Sequence, residues 1–199
     1  VSKLGGLLIA LEGVDGSGKT TQAKRLVKWL SDNGVEAKYT CEPTRGALGR
    51  ILRSMAYRGD ADARVEALLF AADRLIHLRK VIEPLLKRGV IVVSDRYLHS
   101  SLAYQSVTIG DRKWVEEINR FVRKPDLGLF LDVDPEVGLR RLKRRKKTKF
   151  EDVEFLRRVR ERYLEYVEGG ELIRVNAERD LDEVFSEIAK IVEEVLSRT

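Results

Sequence analysis

Short apolar runs rich in β-branched residues recur along the chain at Gly6 to Leu11, Val35 to Cys41, Val90 to Ser94, Gly128 to Val133 and Leu172 to Val175. Runs of this length, apolar on both faces, predict five buried strands. Between them the apolar positions repeat at helical spacing. The helices predicted are Lys19 to Asn33, Ala47 to Tyr57, Ala63 to Lys87, Ser100 to Val107, Arg112 to Val122, Pro135 to Arg145, Val153 to Glu168 and Leu181 to Ser197. Strand alternating with helix predicts an α/β fold, a mostly parallel sheet covered on both faces. Pro84 falls inside the third helix, where a kink is expected.

The 199 residues suit one domain, and the chain carries neither a Pro/Gly/Ser linker nor a repeat of 20 to 50 residues. No run approaches the roughly 18 apolar residues of a membrane span, and the first residues lack a signal peptide's apolar core, so a cytoplasmic location is expected. A single cysteine, Cys41, excludes an internal disulfide framework, and no Cys/His cluster suggests structural zinc. The 38 bases outnumber 32 acids, but the excess is local. Eight bases and no acid lie between Arg140 and Lys149, and the other 30 bases are fewer than the acids. Such a patch favours a discrete anionic partner over a nucleic-acid stripe. From Arg144 to Lys149 it has no apolar periodicity and reads as a mobile loop between helices.

Gly13-Val14-Asp15-Gly16-Ser17-Gly18-Lys19-Thr20 fits GxxxxGK[ST], with an apolar strand before it and, from Thr21, a helix after it. In that pattern backbone N–H groups form a nest for phosphate oxygens, Lys19 bridges the β- and γ-phosphates, and the Thr20 hydroxyl serves Mg²⁺. The motif indicates a nucleotide without naming a reaction. The chain has no NKxD guanine reader or DxxG switch, and it is too short for the extra strands of a motor ATPase. A small kinase holding its acceptor in the same domain remains.

Val93-Ser94-Asp95-Arg96-Tyr97 sets an acid and a base at the carboxyl end of a buried strand, the edge where open α/β sheets bind ligands. Asp95 could hold Mg²⁺ through water and Arg96 could clamp a phosphate, although a structural ion pair would look the same. Further segments surround this one: Glu42-Pro43-Thr44, Leu69-Phe70-Ala71-Ala72-Asp73-Arg74, Ser100-Ser101-Leu102-Ala103-Tyr104-Gln105, Leu131-Asp132-Val133-Asp134-Pro135 and Arg160-Glu161-Arg162-Tyr163-Leu164. In this order, over almost the whole chain, they resemble the thymidylate kinases.

The resemblance implies a P-loop NTPase fold with strand order 2-3-1-4-5, and transfer of the γ-phosphoryl group of ATP to dTMP, with Mg²⁺ as cofactor. A kinase of the same fold with broader range over dUMP, UMP or other monophosphates is the alternative. Phe70 would stack on the base and Arg74 would donate to its O4 carbonyl, disfavouring the amino group of cytosine. Periodicity alone would put both Phe70 and Tyr163 in the core. By resemblance Tyr163 lies beside the sugar's 2′ carbon, and Asp15 accepts from the acceptor's 3′-hydroxyl. Pro43, Arg45 and Arg96 are expected at the acceptor phosphate, with Tyr97, Ser101, Tyr104 and Gln105 around the nucleoside. Cys41 stands where the family pattern expects arginine, a contact that Arg45 or Arg53 could replace.

In-line phosphoryl transfer calls for a mobile arginine at the γ-phosphate. The phosphate loop's Val14, Asp15, Gly16 and Ser17 include no base, which resembles the subgroup with a lid arginine. Arg144 or Arg145, in a lid spanning about 143–152, is the expected donor, and Arg140 or Arg141 is expected to stack on adenine. Small-molecule nucleotides are the expected partners, without nucleic acid or membrane, and the resemblance implies a homodimer. Sparse Asn, Gln, Cys and Met beside 35% charged residues suggest a thermophilic source.

Overall fold

The computed structural model describes residues 5–59, 61–142, 150 and 152–198. Five strands form one sheet: β1 (Leu8–Glu12), β2 (Ala37–Cys41), β3 (Ile91–Asp95), β4 (Leu127–Asp132) and β5 (Ile173–Asn176). All pairings are parallel and the order is β2-β3-β1-β4-β5, as expected. β1 is central and fully buried, with Leu11 level with Asp95 of β3 and Leu129 of β4. Parallel strands point the same way, so β1, β3 and β4 deliver Glu12, Asp95 and Asp132 to one edge.

The helices are α1 (Lys19–Asp32), α2 (Ala47–Arg58), α3 (Ala63–His77), α4 (Glu83–Lys87), α5 (Leu98–Ile109), α6 (Arg112–Ile118), α7 (Pro135–Arg141), α8 (Val153–Glu168) and α9 (Leu181–Leu196). Asp62, Asp111, Asp134, Asp152 and Asp180 cap α3, α6, α7, α8 and α9 by accepting backbone N–H bonds. α1 packs against β2, β3 and α9, while α5 packs between α3 and α8.

The predicted helix Ala63 to Lys87 is divided into three. Pro84 has no N–H to offer the Lys80 carbonyl four residues back, and its ring crowds that carbonyl. The chain widens into a π-turn over Leu78–Ile82, in which the Glu83 N–H reaches Leu78 O, before α4 resumes. α6 ends four residues before the predicted Val122, because the Asn119 side chain folds back and its amide donates to Val115 O (2.9 Å). α7 ends at Arg141, where Leu142 turns out of the helix as its C-cap with its N–H bonded to Leu139 O (3.1 Å), and residues 143–145 of the predicted helix lie outside the described residues.

Two features tie α8 to the sheet. Tyr163 stacks on Phe130 of β4 with ring centroids 4.8 Å apart, and the Asp132 carboxylate accepts from Arg160 of α8 (2.6 and 3.0 Å) and Arg174 of β5 (2.8 Å). Burial would raise the Asp132 carboxyl, but the two arginines outweigh it and hold the group below its usual range. Among the described residues no helix is long and apolar enough to cross a membrane.

Candidate functional site

The phosphate loop joins β1 to α1. Gly13, Gly16 and Gly18 all have positive φ, which lets the loop wind back over the start of the helix. At Gly16 (φ 81°) a side chain is also excluded by contact, since a Cβ would stand 2.0 Å from the carbonyl oxygen of Gly138 in α7. The Lys19 ammonium is buried under the loop, donating to Val14 O (2.8 Å) and Ser17 Oγ (3.2 Å). Burial, reinforced by the Arg96 charge, lowers its pKa to about 8 against the pull of Asp15, Asp95 and Glu12.

The Thr20 hydroxyl donates to Asp95 Oδ2, which also accepts from the Tyr39 hydroxyl (3.3 Å). Thr20 and Asp95 both line a cavity of about 900 Å³ over the loop, together with Asp15 to Gln22, Tyr39, Cys41 and Arg141. Its far rim is the turn after β5, with Ala177, Arg179, Asp180 and Leu181. Arg141 is fixed there by a bond to Ala177 O (3.0 Å).

A second cavity of about 220 Å³ lies beside the first and is lined mainly by apolar surface, with Pro43, Leu52, Ala56, Phe70, Tyr104 and Phe150 around Arg74, Ser101 and Gln105. Asp15, Glu42, Arg53 and Arg96 line both cavities. At that junction Arg96 donates to Asp15 Oδ1 (2.6 Å), Gly13 O (3.0 Å) and Ser100 Oγ (3.2 Å), and its guanidinium lies over the Tyr104 ring. Arg96 has φ 67°, a left-handed conformation costing a non-glycine residue about 1 kcal/mol or more.

Arg74 is almost wholly buried and donates to Glu42 Oε2 (2.8 Å), Asn119 Oδ1 (2.7 Å) and Ser101 Oγ (2.9 Å). His77 holds the other Glu42 oxygen (2.9 Å). One residue before Arg74, Asp73 grips the loop after β2, accepting from the Thr44 N–H (2.7 Å) and hydroxyl (2.6 Å). Arg53 donates to Pro43 O (2.9 Å) from the other side. The Glu42-Pro43-Thr44 segment is thus held from two sides by hydrogen bonds, and its Glu42 and Pro43 line the smaller cavity.

Most residues singled out from the sequence come together here. Asp15, Pro43, Phe70, Arg74, Arg96, Ser101, Tyr104 and Gln105 line the smaller cavity; Asp15, Gly16, Ser17, Gly18, Lys19, Thr20, Thr21, Asp95 and Arg141 line the larger. Gly13, Val14 and Arg140 do not line either, and Val14 is buried beneath the loop. Arg45 lines an adjoining groove with Thr44 and Lys80, so that Arg53 and Arg96 are the arginines facing both cavities. Tyr97 and Tyr163 are buried below the floor; Tyr163 touches it through Ser100 Oγ (3.0 Å). Arg144 and Arg145, and most of the expected lid, lie outside the described residues.

Sequence reasoning missed Glu12, Asn119 and the rim at Arg179 to Leu181. Glu12 carried a signal, as the one charge ending the run Leu7-Leu8-Ile9-Ala10-Leu11. The rim follows the carboxyl end of a parallel strand, where ligand contacts are to be sought.

The fold and these two cavities define a P-loop nucleotide-binding α/β protein with a second pocket beside the phosphate loop. A model of the thymidylate kinase family matches residues 11–188. A Staphylothermus marinus protein named "Probable thymidylate kinase" is 43% identical over 198 residues, 98% of this chain and 99% of its own. Proteins of the same name from Thermococcus gammatolerans and Pyrobaculum calidifontis are 43% and 44% identical, over 96% of this chain and 99% and 98% of theirs. The chain belongs to the thymidylate kinase family.

Proposed function

We propose that this chain, as one domain, transfers the γ-phosphoryl group of ATP to the 5′-phosphate of dTMP, giving ADP and dTDP. The observation that carries this reading is the junction: a large polar cavity over a phosphate loop and a smaller, largely apolar one share Asp15 and Arg96. A nucleotide in each would bring donor and acceptor phosphates together there. Phosphoryl transfer is governed by such positioning and by charge.

ATP occupies the larger cavity, its phosphates in the nest of loop N–H groups, and Lys19 leaves Val14 O to meet the β- and γ-oxygens. Arg141 and the turn at Ala177 to Leu181 flank the adenosine. Mg²⁺ fits the donor set present, because it takes few protein oxygens beside phosphates and waters, and Thr20 Oγ1 and Asp95 Oδ2 are adjacent hard oxygens facing the cavity. When bound, Mg²⁺ supplies charge compensation across the phosphate oxygens.

dTMP occupies the smaller cavity. Phe70 stacks on the base and Arg74, with donors left over from its three bonds, serves the O4 carbonyl. Arg96 and Arg53 hold the acceptor phosphate and Asp15 accepts from the 3′-hydroxyl. Tyr163 limits the space at the 2′ position from below, through Ser100. Arg144 and Arg145 are assigned to the transferred phosphate.

The protein works in the cytoplasm and pairs with a second copy. Support for pairing is an apolar stripe on α3 and the turn after it, where Val65, Leu68, Ile76 and Val81 are each 41–49% exposed. The experiment for the activity is ADP release that requires both ATP and dTMP and disappears in Lys19→Ala. ADP release indifferent to dTMP would overturn it.

A further inference from the structure

Glu12 is the last residue of β1 and has no exposed surface, and it lines neither cavity. A carboxyl group there is costly unless every oxygen is satisfied. Three donors converge on it. Oε1 accepts from the Tyr97 backbone N–H (3.0 Å), and Oε2 accepts from the Ser100 hydroxyl (2.5 Å) and the Tyr163 hydroxyl (3.3 Å).

These contacts fall on the first turn of α5. Tyr97 is its N-cap and makes no side-chain cap bond, and Ser100 is the third helical residue. In a capping box the third residue's own carboxylate or amide takes the N-cap N–H. Ser100 is too short for that, and Glu12 does it from the neighbouring strand. The residue immediately before the N-cap is Arg96, whose left-handed backbone is bracketed by Arg96 N–H to Leu11 O (2.9 Å) and Tyr97 N–H to Glu12. The same Ser100 oxygen that donates to Glu12 accepts from Arg96 Nη1 (3.2 Å), and Arg96 Nη2 reaches Asp15 (2.6 Å).

We infer that Glu12 is a positioning residue for phosphoryl transfer: through the Tyr97 N–H and the Ser100 hydroxyl it fixes the backbone and guanidinium of Arg96, and through Arg96 the Asp15 carboxylate. It touches neither nucleotide. Its place is set by topology, because β1 pairs with β3 and runs into the phosphate loop, so its last residue stands beside both the loop that carries Asp15 and the start of α5 after Arg96. An apolar side chain would fill the volume and leave three donors unmatched, whereas glutamine keeps one acceptor and turns an N–H group toward a donor.

The inference rests on the phosphoryl-transfer reading above, and the two are tested separately. Wild-type turnover of ATP with dTMP is measured first; its absence defeats that reading and with it this inference. Given wild-type turnover, Glu12→Gln is compared for kcat, the KM of each substrate, ADP affinity by calorimetry and melting midpoint. The expected result is a fall in kcat of about 100-fold, the scale of a misplacement of about 1 Å, with ADP affinity within about twofold of wild type. Unchanged kcat overturns the inference, as does a loss of kcat matched by a loss of ADP affinity, which would mark general damage to the fold. If Glu12→Gln does not fold, Ser100→Ala and Ser100→Thr decide. A kcat lowered in Ser100→Ala and restored in Ser100→Thr supports the relay; Ser100→Ala with wild-type kcat overturns it.

Discussion

Arg96 holds Asp15 at 2.6 Å across the junction of two cavities, so a residue from the loop after β3 and one from the loop after β1 form a single charged floor. Lys19 lies beneath the same floor, and the Arg96 charge is one reason its proton is loosely held. Much of what the site is expected to do follows from that arrangement.

Lys19 in the nucleotide-free protein has a pKa of about 8. Phosphate requires the charged form, so kcat/KM for ATP, which reports the free enzyme, should be level below that pH and fall above it by about tenfold per pH unit. The bound phosphates favour the charge, so kcat should break at higher pH. A pH profile of both parameters checks this; coincident breaks would contradict it.

Phe70 is half-buried on the cavity wall and Arg74 is fully buried behind it, and the two should respond differently to truncation. Phe70→Ala removes a stacking face worth about 1–3 kcal/mol, raising KM for dTMP about 10- to 100-fold with little change in melting. Arg74→Ala strands the Glu42 carboxylate in the core, an event costing about 3–5 kcal/mol, and should lower the melting midpoint along with activity. Kinetics and calorimetry on the two variants separate the cases.

That contrast marks where the sequence was legible. The phosphate loop and the end of β3 are local patterns, and their chemistry could be assigned from adjacent residues. Strand alternation announced a parallel α/β fold, but the order of strands came with the family resemblance, since periodicity says nothing of neighbours. The Arg74 network was out of reach because its partners lie 27, 32 and 45 residues away in the chain. Glu12 likewise meets Ser100 and Tyr163, 88 and 151 residues on. Pro84 led to the expectation of a kink, and the structure shows a π-turn over Leu78–Ile82, because the loss of one N–H does not say whether the chain bends or widens.

The apolar stripe of Val65, Leu68, Ile76 and Val81 should be covered in solution by a second copy. Light scattering should give twice the 22.8 kDa chain mass, and Leu68→Asp with Ile76→Asp should give the single mass. A monomeric wild type would sink the pairing.

Thermal stability should be high. Arg112 of α6 pairs with Glu116 (2.7 Å) and with Glu165 of α8 (3.0 Å), which Arg162 also holds (2.6 Å), and ion networks of this kind gain weight at high temperature. With few amide side chains to degrade, the melting midpoint is expected above the ~45–65 °C of mesophile domains. A midpoint inside that range would refute the thermophilic reading.

The proposed activity turns on selection of thymidylate by the smaller cavity. Its most direct test is ADP formation with ATP and Mg²⁺ against dTMP, dUMP, UMP, dCMP, AMP and GMP at equal concentration. dTMP should give by far the highest kcat/KM, with dCMP rejected by the Arg74 donors and UMP by crowding at the 2′ position. Comparable turnover of dTMP, UMP and dCMP would contradict it.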